Sequence, residues 1–170
     1  MTIETEHTQE LDLSLDTFWR EIGLNLDYQE RLYREALGCT RMEVVQHEGG
    51  FESGVKRRLR FEKPIDAPAP IRKIFGSTVT IEEVGEFDPK AQTWSFRIVP
   101  AIMADHIDIR GAITVSKRNG HIAQISRNSV SCNIFGLSKI IEHFVAKSTR
   151  EGQADKAAFT RKYIAERALR

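Results

Sequence analysis

Residues 136–170 read GLSKIIEHFVAKSTREGQADKAAFTRKYIAERALR, and their apolar positions recur with the period of a helix. Leu137, Ile141, Phe144, Val145, Phe159 and Tyr163 share one stripe at 100° per residue, which predicts a single helix of roughly thirty residues. The stripe is not uniform. Ser148, Gly152 and Asp155 fall on it between its two apolar halves, where a plain core helix would show leucine. A helix-interior glycine costs about 0.8–1 kcal/mol relative to alanine. Either the helix packs closely on a sheet or kinks there, or the gap leaves room for a bound molecule.

Upstream the period is two. Met42 and Val44 open a series of strands that continues through Val55, Leu59 and Phe61, then Val79 and Ile81 to Phe87. Trp94, Phe96 and Ile98 follow, then Ile107, Ile109, Ile113 and Val115, and last Ile122 to Ile134 with Val130, Cys132 and Ile134 on one face. The expected turns are His47-Glu48-Gly49-Gly50, Asp88-Pro89 and Asn119-Gly120, the last a type I′ dipeptide. Pro64, Pro68 and Pro70 bracket a connection in which Ile71 to Phe75 form one helical turn stopped by Gly76. Before the series lie a first strand, Thr5 to Leu13, and two short helices. Leu15, Phe18, Trp19 and Ile22 mark one helix, capped by Ser14 or Asp16 and ended by Gly23. Leu24, Tyr28, Leu32 and Ala36 mark the other, with Asp27 and Glu30 as a capping box and Gly38 closing it. This order predicts an α+β fold: a seven-stranded antiparallel sheet wrapped around the long C-terminal helix, the only element long enough to cover it.

Composition narrows the function. A chain of 170 residues is expected to form a single domain, residues 1–170, with a core that needs no staples. Lys+Arg 25 against Asp+Glu 24 leave no global field to favour nucleic acid. Met1 to Glu10 lacks the apolar segment of a signal peptide, and the apolar run Ile98 to Ala104 is broken by Pro100 and far too short to span a membrane. Cys39 and Cys132 lack metal-ligand spacing and read as buried free thiols, which points to a reducing cytoplasm.

The chain's stretches Asp16-Thr17-Phe18-Trp19, Tyr28 through Gly38, Pro68 to Gly76, Thr80-Ile81-Glu82-Glu83, Val99-Pro100 through Gly111, and Phe135-Gly136 leading into Ile141-Glu142 span nearly its whole length. In order and spacing they resemble the START/Bet v 1-like (SRPBCC) superfamily, and within it a bacterial family of START-like proteins. The resemblance implies a helix-grip fold. It also implies a cavity between curved sheet and last helix that takes lipids, sterols, polyketides or other apolar molecules, in carriers, sensors, cyclases or hydrolases. Fold does not choose among these.

The expected ligand-binding residues are Leu59, Ile81, Trp94, Phe96, Ile98, Ile109, Ile113 and Val130 on the strands, and Ile141, Phe144, Val145, Ser148 and Gly152 on the helix. A filled core is the alternative for each. Alternation also puts two charges, Arg57 and Glu83, on the inward face, where each needs a partner or water. They either line the cavity, paired together or fixing a ligand's polar head, or a bulge turns both to solvent. Ile71, Ile74 and Phe75 form a lid over one end, able to touch a membrane surface transiently during transfer if exposed, or simply a plug of the core.

Catalytic signatures are weak. His7, His47, His106, His121 and His143 sit on different elements without zinc spacing, and no nucleophile elbow is present. No catalytic residue, metal or redox cofactor is implied. Lys56, Arg58 and Arg60 share an outer face that reads as a solvated strand face, not a nucleic-acid site. The expected function is non-catalytic binding, transport or sensing of a lipid or other hydrophobic small molecule in the cytoplasm. The alternatives are a polyketide cyclase or hydrolase using the same cavity, and a protein-interaction module with a closed core. The sequence does not fix the oligomeric state.

Overall fold

The computed structural model describes residues 1–170. Its strands are β1 (Thr2–Leu11), β2 (Arg41–Gly50), β3 (Gly54–Pro64), β4 (Thr78–Asp88), β5 (Thr93–Pro100), β6 (Ile107–Arg118) and β7 (His121–Cys132). They form one antiparallel sheet in the order β1-β7-β6-β5-β4-β3-β2, so only β1 leaves its chain neighbour to pair elsewhere. Two short helices connect β1 to β2. The first, α1 (Leu15–Phe18), runs on into a π-helical turn at Trp19–Gly23; the second, α2 (Leu26–Arg31), does the same at Leu32–Ala36. A third, α3 (Ala69–Phe75), joins β3 to β4, and α4 (Ser138–Arg167) is the 30-residue helix that packs along β1 and β7. This is the helix-grip arrangement.

Local chemistry explains the short helices. The Ser14 hydroxyl accepts the Thr17 N–H at 3.1 Å and caps α1. The cap of α2 is Asn25, whose side-chain oxygen accepts the Tyr28 N–H at 2.9 Å, and not the expected Asp27 box. Each π turn adds a residue to the helical repeat, so the side chains after it rotate. Trp19 and Tyr33, at the starts of the two π turns, are both buried.

Three expectations at strand ends change. The sheet keeps its ladder through His47 to Gly50, and the β2–β3 turn is Phe51-Glu52-Ser53. At Asn119-Gly120 only Gly120 is left-handed, at φ +81°, so the turn is not type I′, which needs both. Val44 is opposite Leu59 on the inward face but lies on the edge strand just before a register shift, and is 41% exposed instead of buried in the core.

Register lays out the concave face as rows across the sheet. One row is Val55–Phe87–Trp94–Ile113–Ser126, the next Arg57–Gly85–Phe96–Gly111–Asn128, and the third Leu59–Glu83–Ile98–Ile109–Val130. Over the first row sits the largest core cluster, in which Trp19, Tyr28, Phe159 and Tyr163 close one end of the molecule. A smaller cluster of Ala67, Ile71, Ile107, Cys132 and Ile141 holds the other end. There the fully buried Glu142 accepts the Cys132 backbone N–H at 3.0 Å and ties the start of α4 to the end of β7. Cys39 and Cys132 are buried free thiols.

Candidate functional site

A cavity of about 330 Å³ separates the middle strands from α4, and 23 of its 35 lining residues are hydrophobic. From the sheet it takes Arg57, Ile81, Glu83, Trp94, Phe96, Ile98, Ile109 and Ile113; from α4 it takes Ile141, Phe144, Val145, Ser148 and Gly152. Its floor depends on two glycines. A Cβ on Gly85 would stand 2.4 Å from the Trp94 ring, and one on Gly111 would stand 2.2 Å from the Phe96 ring. The gap in the α4 stripe is real space: a Cβ on Gly152 would meet only Leu37, at 3.8 Å.

Three expected residues lie elsewhere. Leu59 and Val130 occupy the two ends of the third row, outside the middle strands. Leu59 is sealed by Tyr33, Cys39, Met42 and Phe61, and Val130 is buried on β7, the strand that α4 covers. Ile71 and Phe75, one helical turn apart, line the cavity from α3, whereas Ile74 is off that face. Ile71 is 2% exposed, so in this state it plugs the core and does not present itself to a membrane. An external groove between the β3–α3 segment and α4 shares Lys63, Ile65, Phe144, Ser148 and Gly152 with the cavity, which marks its mouth.

The two inward charges meet. Arg57 donates to Glu83 at 3.4 Å and to the carbonyl of Gly23 at 3.2 Å, and its guanidinium lies 4.2 Å from the centre of the Trp94 ring. Tyr33 donates its hydroxyl to the other Glu83 oxygen at 2.8 Å. Burial and then the Glu83 charge hold the Tyr33 phenol well above its ordinary range, so it stays a neutral donor. Lys156 completes the group from α4. Burial lowers its ammonium below the usual lysine value; the attraction of Glu83 offsets part of this, and Arg57 adds to it.

Tyr33, Asn128 and Lys156 are among the lining residues that periodicity missed. Tyr33 lies inside a π turn, which no 3.6-residue stripe anticipates. Lys156 is four residues after Gly152 and Asp155 three; the cavity receives the former, while Asp155 is exposed. Asn128 is legible only from its row partner Gly111.

Other candidates are structural. His106 hydrogen-bonds Asn133 at 2.8 Å, and Arg58 and Arg60 converge on Glu82 at 3.8 and 2.7 Å on the outer face.

Residues 6–164 match a protein family described as "Protein of unknown function (DUF2505)". The chain belongs to that family. No curated protein matches it in sequence. Solved structures do match its fold. TTHA0849 from Thermus thermophilus superposes with a TM-score of 0.67 at 14% identity, over 96% of this chain and 98% of that one. The Zhui aromatase/cyclase from Streptomyces sp. R1128 gives 0.64 at 12% identity, over 95% and 96%. Norcoclaurine synthase from Thalictrum flavum gives 0.62 at 15%, over 92% and 84%. At such identities the likeness establishes the START/Bet v 1-like fold and leaves chemistry to the residues of this DUF2505 chain. No helix is long and apolar enough to cross a membrane.

Proposed function

We propose that this DUF2505 protein binds a hydrophobic small molecule, a lipid or a compound of similar character, in the cavity under α4, as a carrier or sensor. The cavity carries the reading. Its volume of about 330 Å³ is within the range of about 300–1,000 Å³ typical of ligand sites, and its walls are mainly apolar. Two buried free thiols suit a reducing compartment such as the cytoplasm. Contact with a membrane during transfer would require α3 to swing Ile71 outward.

A second reading has its own observation. Tyr33, Arg57 and Glu83 form a hydrogen-bonded group in the cavity lining and Lys156 lines it from α4, so a weakened ammonium is available for acid–base work on a bound substrate. Two of the structural neighbours are by name an aromatase/cyclase and a synthase, which makes this reading equally worth testing.

The decisive measurement is titration with the uncharged fluorescent probe N-phenyl-1-naphthylamine, alongside native mass spectrometry of the purified protein. Saturable enhancement or a copurifying apolar molecule is expected in the wild type. Gly152→Trp should remove it while the protein stays folded, because the indole would occupy the gap. Undiminished probe binding by Gly152→Trp would remove this cavity from the reading.

A further inference from the structure

The unpaired polar atoms around the cavity all have one sense, and its cations outnumber its carboxylates. Four charged residues line it: Arg57, Lys63 and Lys156 against the single carboxylate of Glu83. That carboxylate is already engaged, one oxygen with Arg57 and the other with Tyr33. Three buried side-chain atoms of lining residues lack any hydrogen-bond partner: Arg57 Nε, Trp19 Nε1 and Asn128 Nδ2. Each is an N–H donor. Buried polar atoms without a partner elsewhere in the protein include acceptors, such as the side-chain oxygens of Gln9 and Gln92, but none of those residues touches the cavity. A buried unmet donor is costly, and an incoming acceptor recovers that cost.

Position adds direction. The mouth is at Ser148 and Gly152, and Lys156 lies one helical turn beyond Gly152, about 6 Å further along α4 at 1.5 Å per residue. Arg57 and Asn128 share a sheet row next to the one capped by the aromatic cluster, so the donors are gathered toward the closed end. Nearer the mouth, Ile65, Phe144 and Val145 supply apolar wall, with Lys63 at the rim.

Resting on the reading of the cavity as an apolar-ligand site, we infer that its ligand is an amphiphilic acid. It enters polar end first and seats a carboxylate, or an equivalent anionic oxygen group, against Lys156 and Arg57, leaving its apolar body toward the mouth. The selectivity comes from sign: the bound anion meets two cations and unpaired N–H donors, whereas a cationic head would meet those cations as repulsion.

The test uses probes that differ only in the head: 2-naphthylacetate, 2-naphthaleneethanol and 2-naphthylethylammonium, and the matching ten-carbon carboxylate, alcohol and ammonium, titrated at pH 7 by calorimetry. The expected result is that a carboxylate binds about tenfold or more tightly than its alcohol and that the ammonium does not bind. Lys156→Met should bring the carboxylate-to-alcohol ratio close to one, and Lys156→Arg should restore most of it. Equal binding of carboxylate and alcohol, preferred binding of the ammonium, or a ratio unmoved by Lys156→Met overturns the inference while the cavity remains a binding site. If no probe of either body binds, the apolar-ligand reading fails, and this inference with it.

Discussion

The two ends of the cavity are built on the same sheet and the same helix, yet one is closed by a core cluster of 15 buried residues and the other by one of five. At the closed end Trp19, Tyr28 and Tyr163 are each 0% exposed, with Trp19 4.5 Å from Phe87 and Tyr28 5.0 Å from Tyr163, ring centre to ring centre. At the mouth end Ile81, Ile98, Phe144 and Val145 point inward and are still only half-buried, because they border empty volume. The closed end has an additional layer, supplied by α1, α2 and their π turns. The mouth has only the seven residues of α3. Inward-facing apolar side chains therefore do not fill a core by themselves; large rings from another layer do. Stability should reside at one end and binding capacity at the other.

The largest test of that division is Trp19→Ala, which deletes the centre of the closed end and should cost about 3–5 kcal/mol by urea unfolding. A cost below about 1 kcal/mol would mean that the aromatic end is not what holds the fold. At the mouth, Phe144→Ala should cost only about 1 kcal/mol, since part of the ring already faces a void; a loss equal to that of Trp19→Ala would erase the distinction. The smallest effect is of opposite sign. Because the folded state lowers the Lys156 pKa below its ordinary 10.5, the protonated amine weakens folding at neutral pH. That penalty is complete below the lowered value, shrinks as pH rises through the interval, and vanishes above 10.5. Lys156→Met should thus be more stable than the wild type at pH 7, by under about 1 kcal/mol, with the two converging as pH passes 10.5. A gap that widens with pH would contradict a buried ammonium at this position.

Most of the sheet was legible because alternation survives wherever one face is covered. Arg57 and Glu83 stood out for the same reason, as charges in apolar columns, and they do face inward and pair. What alternation could not tell was how far along each row the cavity extends. Leu59 and Val130 have the same pattern as Ile98 and Ile109, and differ in lying toward the flanks of the sheet, where other side chains and α4 cover them. The α4 gap at Ser148 and Gly152 was visible, but its continuation was not, since Asp155 and Lys156 fit a helical stripe almost equally. A small rotation of the helix decides between them, and packing on β1 and β7 sets that rotation. Tyr33 lay beyond reach because it sits inside a π turn, whose wider repeat brings the residue after Leu32 onto the buried face as well.

The glycine floor limits how this protein could adapt to different guests. Trp94 and Phe96 already occupy the space that side chains at Gly85 and Gly111 would need, so the rings have the backbone directly behind them. The floor cannot retreat. Any accommodation of a thicker molecule has to come from the roof, where rotamer changes of Phe144 and Val145, or a tilt of α4, meet less resistance. The protein would then measure its guest with a hard template on one side and a compliant one on the other. Variation between relatives that take different molecules should accumulate on the compliant side.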